Sequence, residues 1–295
     1  MRKVCLVVLV FASLPALGES GLDWSGEIDI GYGYDSNVAV DDVDLATQAG
    51  DQFVDVTVSG GLDYSTDRGS LSAGLVLGGK YYNRFDEFDG RLSMLSVGVE
   101  RELGGLDLGF NVRHIDYRLD HDAFLSLTQI SPTLAWFPSR RTYVRAALEF
   151  SDEDFETDSA RDNRQRRLSL RGFFFMNGLK RYLSMRIQHT SDDADDGLFD
   201  NDAWEAALTY RHELPSGLAF ETGYRYQRRD YDEELHPLLG AYRDDRRRRF
   251  EARLEWPLSE KLVAVAGVHR NDYRSNLASA DYDQRVYEIS LKYEL

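Results

Sequence analysis

A chain of 295 residues and 33.7 kDa is long enough for two ordinary domains or for one large all-β barrel. Its 51 acidic against 35 basic side chains, a net charge of −16, argue against a nucleic-acid partner, because phosphate backbones require compensating Lys and Arg. A hydrophobic share of 42 % is too high for a disordered chain, and beyond the N-terminus no apolar run reaches the ~18 residues that a membrane-spanning helix needs.

Residues 1–18 read as a targeting segment. Arg2 and Lys3 precede an apolar stretch from Val4 to Leu17, and Ala16-Leu17-Gly18 supplies small residues for cleavage before Glu19. Cys5 falls inside this stretch, so residues 19–295 contain no cysteine and no disulfide. From there the chain is a succession of segments apolar at every second position, the period of a strand with two different faces. Val54, Val56 and Val58 alternate with Asp55, Thr57 and Ser59; Leu71, Ala73, Leu75 and Leu77 alternate with Ser72, Gly74 and Val76. Phe250, Ala252, Leu254 and Trp256 alternate with Glu251, Arg253 and Glu255. Fourteen strands are predicted, at 24–34, 52–64, 70–83, 91–102, 106–118, 124–137, 141–151, 165–176, 180–190, 202–213, 218–229, 247–257, 261–272 and 283–295. None of comparable length carries a 3.6-residue apolar stripe, so the fold class is all-β.

The connections alternate in length. Short ones such as Leu103-Gly104-Gly105, Asn177-Gly178-Leu179 and Pro215-Ser216-Gly217 have the chemistry of tight hairpins. Between them lie mostly longer, acidic ones at 35–51, 84–90, 119–123, 152–164, 191–201, 230–246 and 273–282. A soluble β-sandwich has no reason to alternate in this way, whereas a bacterial outer-membrane barrel has short periplasmic turns and longer outside loops. The expected architecture is a 14-stranded antiparallel up-and-down transmembrane β-barrel over residues 19–295, in the cell outer membrane, with both termini periplasmic. Residues 35–51 and 230–246, the longest loops, are the segments expected to plug it.

The second face of the strands holds too many charges for a dry core, which calls for a water-filled lumen and an apolar face toward lipid. Lumen-lining residues expected from the first strands are Glu27, Asp29, Asp55, Asp63, Glu100 and Asp107. Later strands add Arg145, Arg167, Arg171, Arg186, Arg211, Arg225, Arg247, Arg249 and Arg253. An acidic, Gly-rich wall facing an Arg-rich one would set up a transverse field that orients solutes. The same residues would also serve as cross-strand Arg–Glu ladders that hold the wall together. Aromatic girdles are expected at both interfaces: Trp24, Tyr64, Trp136, Tyr143, Tyr182, Trp256 and Tyr293 on the periplasmic side, and Tyr34, Tyr81, Tyr117, Phe150, Trp204 and Tyr226 on the outer side.

Two smaller clusters have chemical potential. Asp192, Asp193, Asp195, Asp196 and Asp200 are carboxylates of the kind hard cations prefer, but Ala194 and Ala203 occupy positions where an EF-hand needs ligands. They read as a solvated loop, or as loose divalent-ion bridges to lipopolysaccharide. His189 and Ser191 both face lipid if the alternation of Leu183, Met185 and Ile187 continues. This His-x-Ser pair resembles the catalytic pair of outer-membrane phospholipases and lipid A deacylases, although no Asn-Gly follows the serine. No motif implies a cofactor or a dedicated metal site.

Tyr34-Asp35-Ser36-Asn37-Val38 resembles the Tyr-Asp-Ser-Asn-Val start of the barrel domain of surface lipoprotein assembly modifiers, and related β-barrel porins begin with similar words. The resemblance implies a fourteen-stranded barrel over residues 24–295 that exports a lipoprotein client across the outer membrane. The tetratricopeptide domain that precedes this barrel in the family is not expected here, since the first strand begins about six residues after residue 18. Asp35-Ser36-Asn37 also suits an Asx-type turn that ends the strand. The last strand, ending in Leu295 where Phe is more usual, resembles the signal read by the barrel assembly machinery. A passive small-solute porin, a lipid hydrolase using His189 and Ser191, and an adhesion barrel with binding loops are the alternatives to export.

Overall fold

The computed structural model describes residues 21–40 and 43–295, so the targeting segment expected at 1–18 lies outside them. The chain runs through β1 (Gly21–Asp35), the two-residue strands β2 (Ala39–Val40) and β3 (Leu45–Ala46), β4 (Asp51–Thr66), β5 (Gly69–Tyr82), β6 (Gly90–Leu103), β7 (Leu106–Leu119) and β8 (Asp122–Ser139). It continues through β9 (Thr142–Phe155), β10 (Asn163–Asn177), β11 (Arg181–Ala194), β12 (Asn201–Glu213), β13 (Ala219–His236), β14 (Ala241–Pro257), β15 (Leu262–Ser275) and β16 (Tyr282–Glu294). Fourteen of these strands form the wall of one closed antiparallel barrel, and β2 and β3 pair separately as a small ribbon. No helix among the described residues is long and apolar enough to cross a membrane.

Closure comes from β1 pairing with β16, from Asp35 opposite Val286 down to Glu27 opposite Glu294, with the Leu295 N–H donating to the Gly26 carbonyl at 2.9 Å. A closed sheet has no unpaired edge, which is the condition for crossing lipid on strands. The alternation decides which way each side chain points. On β5, Leu71, Leu75 and Leu77 are 52 %, 46 % and 48 % exposed on the outside, while Ser72, Gly74 and Gly78 turn inward. The same outward band holds Ile30, Val58, Val97, Phe110, Leu170, Met185, Phe250 and Ile289 around the barrel. A surface this apolar is incompatible with water on all sides and suits lipid contact.

The packed apolar core sits inside the barrel at its long-loop end. Phe53, Tyr82, Tyr117, Phe124, Phe155 and Val286 from the wall close around Val38 and Val40. Edge-to-face contacts link Phe53 to Tyr82, and Phe124 to both Tyr117 and Phe155, at 5.9–6.0 Å.

Four sequence expectations need correction. Tyr117 is no part of an outer aromatic girdle: it is only 7 % exposed and lies inside the mouth, two positions along the inward face from Ile115. Tyr143 and Tyr182 also point into the lumen, because the outward positions beside them are Val144 and Leu183; their location near strand ends misled, since parity alone sets the face. Residues 230–246 form no long loop. β13 and β14 continue to His236 and from Ala241, joined by a turn at 237–240. The alternation fades there because both faces of the hairpin are rich in charge, yet the backbone ladder runs to Tyr231 opposite Arg243 and resumes, after a register shift, at His236 opposite Ala241. The connection at 119–123 is likewise tighter than expected: Asp120 and His121, with φ of 48° and 65°, make a two-residue turn whose twist matches the strands it joins.

Gly33 marks where the closing seam meets this core. A methyl group there would collide with the Phe53 ring and the Tyr287 carbonyl, and the latter is backbone that cannot swing away. Gly33→Ala is expected to destabilise the barrel by about 1–3 kcal/mol. Denaturant unfolding in lipid vesicles checks this, and an unchanged midpoint would show that the seam yields.

Candidate functional site: the lumen and the loop across its mouth

The words at residues 34–38 act as a device that turns the chain off the wall. Tyr34 faces outward, and the next inward residue, Asp35, is completely buried. The Asp35 carboxylate accepts the Asn37 N–H at 3.0 Å, the Asx turn expected from the sequence, and the Gln284 amide at 3.0 Å. Ser36 accepts the Arg285 N–H at 2.8 Å, and Asn37 donates to the Asp283 carbonyl at 3.2 Å while accepting the Gln48 N–H at 2.9 Å. Val38 exchanges backbone hydrogen bonds with Ala49 and Thr47, and β2 pairs antiparallel with β3, Ala39 opposite Ala46 and Val40 opposite Leu45. Val38 and Val40 sink into the apolar core, at 0 % and 3 % exposure.

The tip of this inward loop reaches the far side of the barrel. Asp44 binds Arg243 on β14 through two hydrogen bonds of 2.9 and 2.6 Å, and Arg161, between β9 and β10, at 3.3 Å. Arg243 also holds Asp245 at 2.9 Å and lies over the Tyr231 ring, and Arg161 lies over the Phe199 ring at 4.1 Å. Burial pushes the Asp44 carboxyl up, but the hydrogen bonds and charges of Arg243 and Arg161 outweigh it and hold this group below the usual carboxylate range.

Beneath the loop, with Ala39 in its roof, is a cavity of about 290 Å³. Its walls carry Glu27, Asp29, Asp55 and Glu288 from β1, β4 and β16, and Arg225, Arg247, Arg249 and Arg253 from β13 and β14. Seven of the residues expected in the lumen from sequence therefore meet in one space. The others on the Arg-rich wall, Arg145, Arg167, Arg171, Arg186 and Arg211, follow the inward face of β9 to β12, outside that cavity. Asp63, Glu100 and Asp107 sit toward the short-turn rim. Arg–Glu ladders run through the wall: Arg167–Glu149 at 2.9 Å, Arg186–Glu205 at 2.5 Å, Arg211–Glu255 at 2.6 Å and Lys292–Glu27 at 3.0 Å. The sequence reading passed over Lys80, Glu205, Glu221, Glu288 and Lys292. Counting inward positions by two along each strand would have found them: from Gly74 the count reaches Val76, Gly78 and Lys80.

His189 and Ser191 both lie on the outer side of β11. His189 packs on Trp204 at 4.6 Å between ring centroids and places Nε2 3.4 Å from Asp202. Among the described residues Ser191 has no hydrogen bond to His189, the contact a serine nucleophile needs for activation. The acidic run after it is spent on its own turn. Asp200 accepts the Ala194 N–H at 2.6 Å, and Asp196 accepts the Leu198 N–H at 3.0 Å. No group of three or more metal-binding side chains is assembled among the described residues.

A closed antiparallel barrel with an apolar outer band, a charged lumen and a loop folded into its mouth defines a barrel of the channel-forming outer-membrane class. The chain matches the Gram-negative porin family over residues 5–295 and belongs to it. No curated protein matches it in sequence. Among solved structures it is similar to the anion-selective porin from Comamonas acidovorans, with TM-score 0.59 and 10 % identity over 94 % of this chain and 100 % of that one. It is similar to a loop-deletion mutant of OmpT, an outer-membrane protein of Vibrio cholerae, with TM-score 0.59 and 8 % identity over 94 % and 100 %. Salmonella typhi OmpF follows with TM-score 0.56 and 12 % identity over 94 % and 98 %. Identities this low speak for a shared fold.

The latch has a defined pH window. A carboxyl held below its unfolded value of about 4 contributes its stability above that pH and loses it only as the pH falls through the lower, folded value. The share of protection that Asp44 gives residues 43–47 is therefore expected to be the same at pH 8 and pH 5, read as the difference in hydrogen exchange between the native protein and Arg243→Gln. Arg243→Gln, which removes one partner of a buried pair, should speed that exchange by the equivalent of about 3 kcal/mol. Unchanged protection in this variant would show that the tip is held by other contacts.

Proposed function

We propose that the protein is a passive outer-membrane channel for small hydrophilic solutes, narrowed at its outer mouth by the inward loop. The observation that carries this reading is the charged cavity directly beneath that loop, where Glu27, Asp29, Asp55 and Glu288 share one space with Lys80, Arg225, Arg247, Arg249 and Arg253. Charge of this density is tolerable inside a barrel only where water enters, and a polar, hydrated path of this kind suits a small hydrophilic solute. The long connections would face the cell exterior and both termini the periplasm, the arrangement that short turns on one rim favour.

Export of a surface lipoprotein finds less support. It rests on Tyr34, Asp35, Ser36, Asn37 and Val38, and these residues are occupied in turning the loop inward and seating it against β16. A lumen crossed by that loop and lined with paired charges suits a small solute better than a polypeptide. The reading includes no chemical step, so His189→Ala should leave transport unchanged.

Single-channel recording in planar bilayers tests the proposal. The native protein is expected to give small, interrupted currents. A variant in which Asn-Gly replaces residues 39–46, linking Val38 to Thr47, should give a steady conductance several-fold larger. A folded variant that stays silent would overturn the channel reading. Equal conductance in both proteins would overturn the role of the loop.

A further inference from the structure

The wall formed by β9, β10 and β11 carries a set of groups that the main cavity leaves unused. Arg145, Arg171 and Arg186 stand directly opposite one another across these three strands. Their side chains share the inward face, since Leu148, Leu170 and Ile187 take the outward positions. Like charges in direct register are destabilising unless an opposite charge joins them. Arg186 has Glu205, but its Nε is buried without a hydrogen-bond partner. Arg145 has a 3.5 Å contact to the Thr133 hydroxyl, and Arg171 has no ion pair or side-chain hydrogen bond among the described residues. Glu149, on the same face of β9, is already committed to Arg167 at 2.9 Å and Gln129 at 2.8 Å.

A second feature adjoins these arginines on the side of the short-turn rim. Tyr143 and Phe173 are paired across β9 and β10 and follow Arg145 and Arg171 on the same inward face. Two residues along a strand separate each ring from its guanidinium by roughly 7 Å at the backbone. Phe173 lies 6.0 Å from Tyr143 and 5.8 Å from Tyr182, which meets both Phe173 and Phe175 edge-on. The result is an aromatic shelf next to an underneutralised guanidinium row.

We infer that this wall binds a small aromatic carboxylate, with its carboxylate between Arg171 and its neighbouring arginines and its ring on Phe173 and Tyr143. Guanidinium groups grip a carboxylate through paired, charge-assisted hydrogen bonds, and the rings offer offset or edge-on stacking. Inorganic phosphate would use only the arginines, and a neutral arene only the shelf. The inference deepens the channel reading by naming a class of solute, and it rests on that reading only for passage, since binding needs no open pore.

Isothermal titration calorimetry of the full chain refolded in detergent tests it, with benzoate, acetate, benzyl alcohol and inorganic phosphate as probes. Benzoate is expected to bind at least 10-fold more tightly than acetate or benzyl alcohol. Arg171→Gln should weaken benzoate and acetate alike, benzoate by 10-fold or more. Phe173→Leu should bring benzoate down to the level of acetate and leave acetate unchanged. Fold retention in both variants is read from heat-modifiable gel mobility. Phosphate binding more tightly than benzoate, or benzoate indifferent to either substitution in folded protein, would overturn the inference. A barrel that binds benzoate yet never conducts would overturn the channel reading alone, and one that conducts without binding benzoate would overturn only the site.

Discussion

The seam between β1 and β16 is the contact on which everything else depends. A strand crossing hydrocarbon has no water to satisfy its N–H and C=O groups, so each must find a partner in a neighbouring strand. Thirteen strand pairs follow from consecutive hairpins, and only β1 with β16 joins residues at opposite ends of the chain. Without that pairing both strands present open edges to lipid. With it, the sheet has an inside and an outside, and every alternating side chain acquires an environment.

Once the outside is apolar, the inside must accept the charges. The wall manages this with cross-strand pairs such as Arg211–Glu255 and Arg167–Glu149. Their net contribution to stability is modest in a solvated lumen. They also leave a densely charged lumen, in which the carboxylates of β1, β4 and β16 share one space with the guanidinium groups of β13 and β14. The inward loop depends on the same seam. Asp35 and Ser36 at the end of β1 reach Gln284 and Arg285 on β16, so closing the barrel also sets the direction in which residues 36–50 leave the wall.

All fourteen wall strands could be read from period-2 alternation, because each crosses a boundary between lipid and water that imposes opposite chemistry on neighbouring residues. The alternation disappears where that boundary ends. Arg228, Asp230, Asp244 and Arg246 face outward beyond the apolar band, so β13 and β14 looked like a loop while their backbones stay paired. Aromatic residues failed as markers for a related reason. Tyr64 and Tyr143 both lie near the short-turn rim, yet one faces out and the other in, and a ring suits either side. The inward positions of Lys80 and Glu288 were recoverable by counting in twos from their neighbours. The destination of Asp44 was not, since its partners Arg161 and Arg243 lie 117 and 199 residues away.

The all-β class, the number of wall strands, their apolar face and the local turn at Asp35-Ser36-Asn37 are written in the order of residues along the chain, because they depend on the spacing of residues a few positions apart. Tertiary structure alone decided that this turn sends a loop across the mouth and that Arg145, Arg171 and Arg186 come into one row beside an aromatic shelf. It also decided which charges stay paired. These outcomes depend on register between strands and on contacts across the lumen, where residues distant in the chain meet only after the barrel has closed.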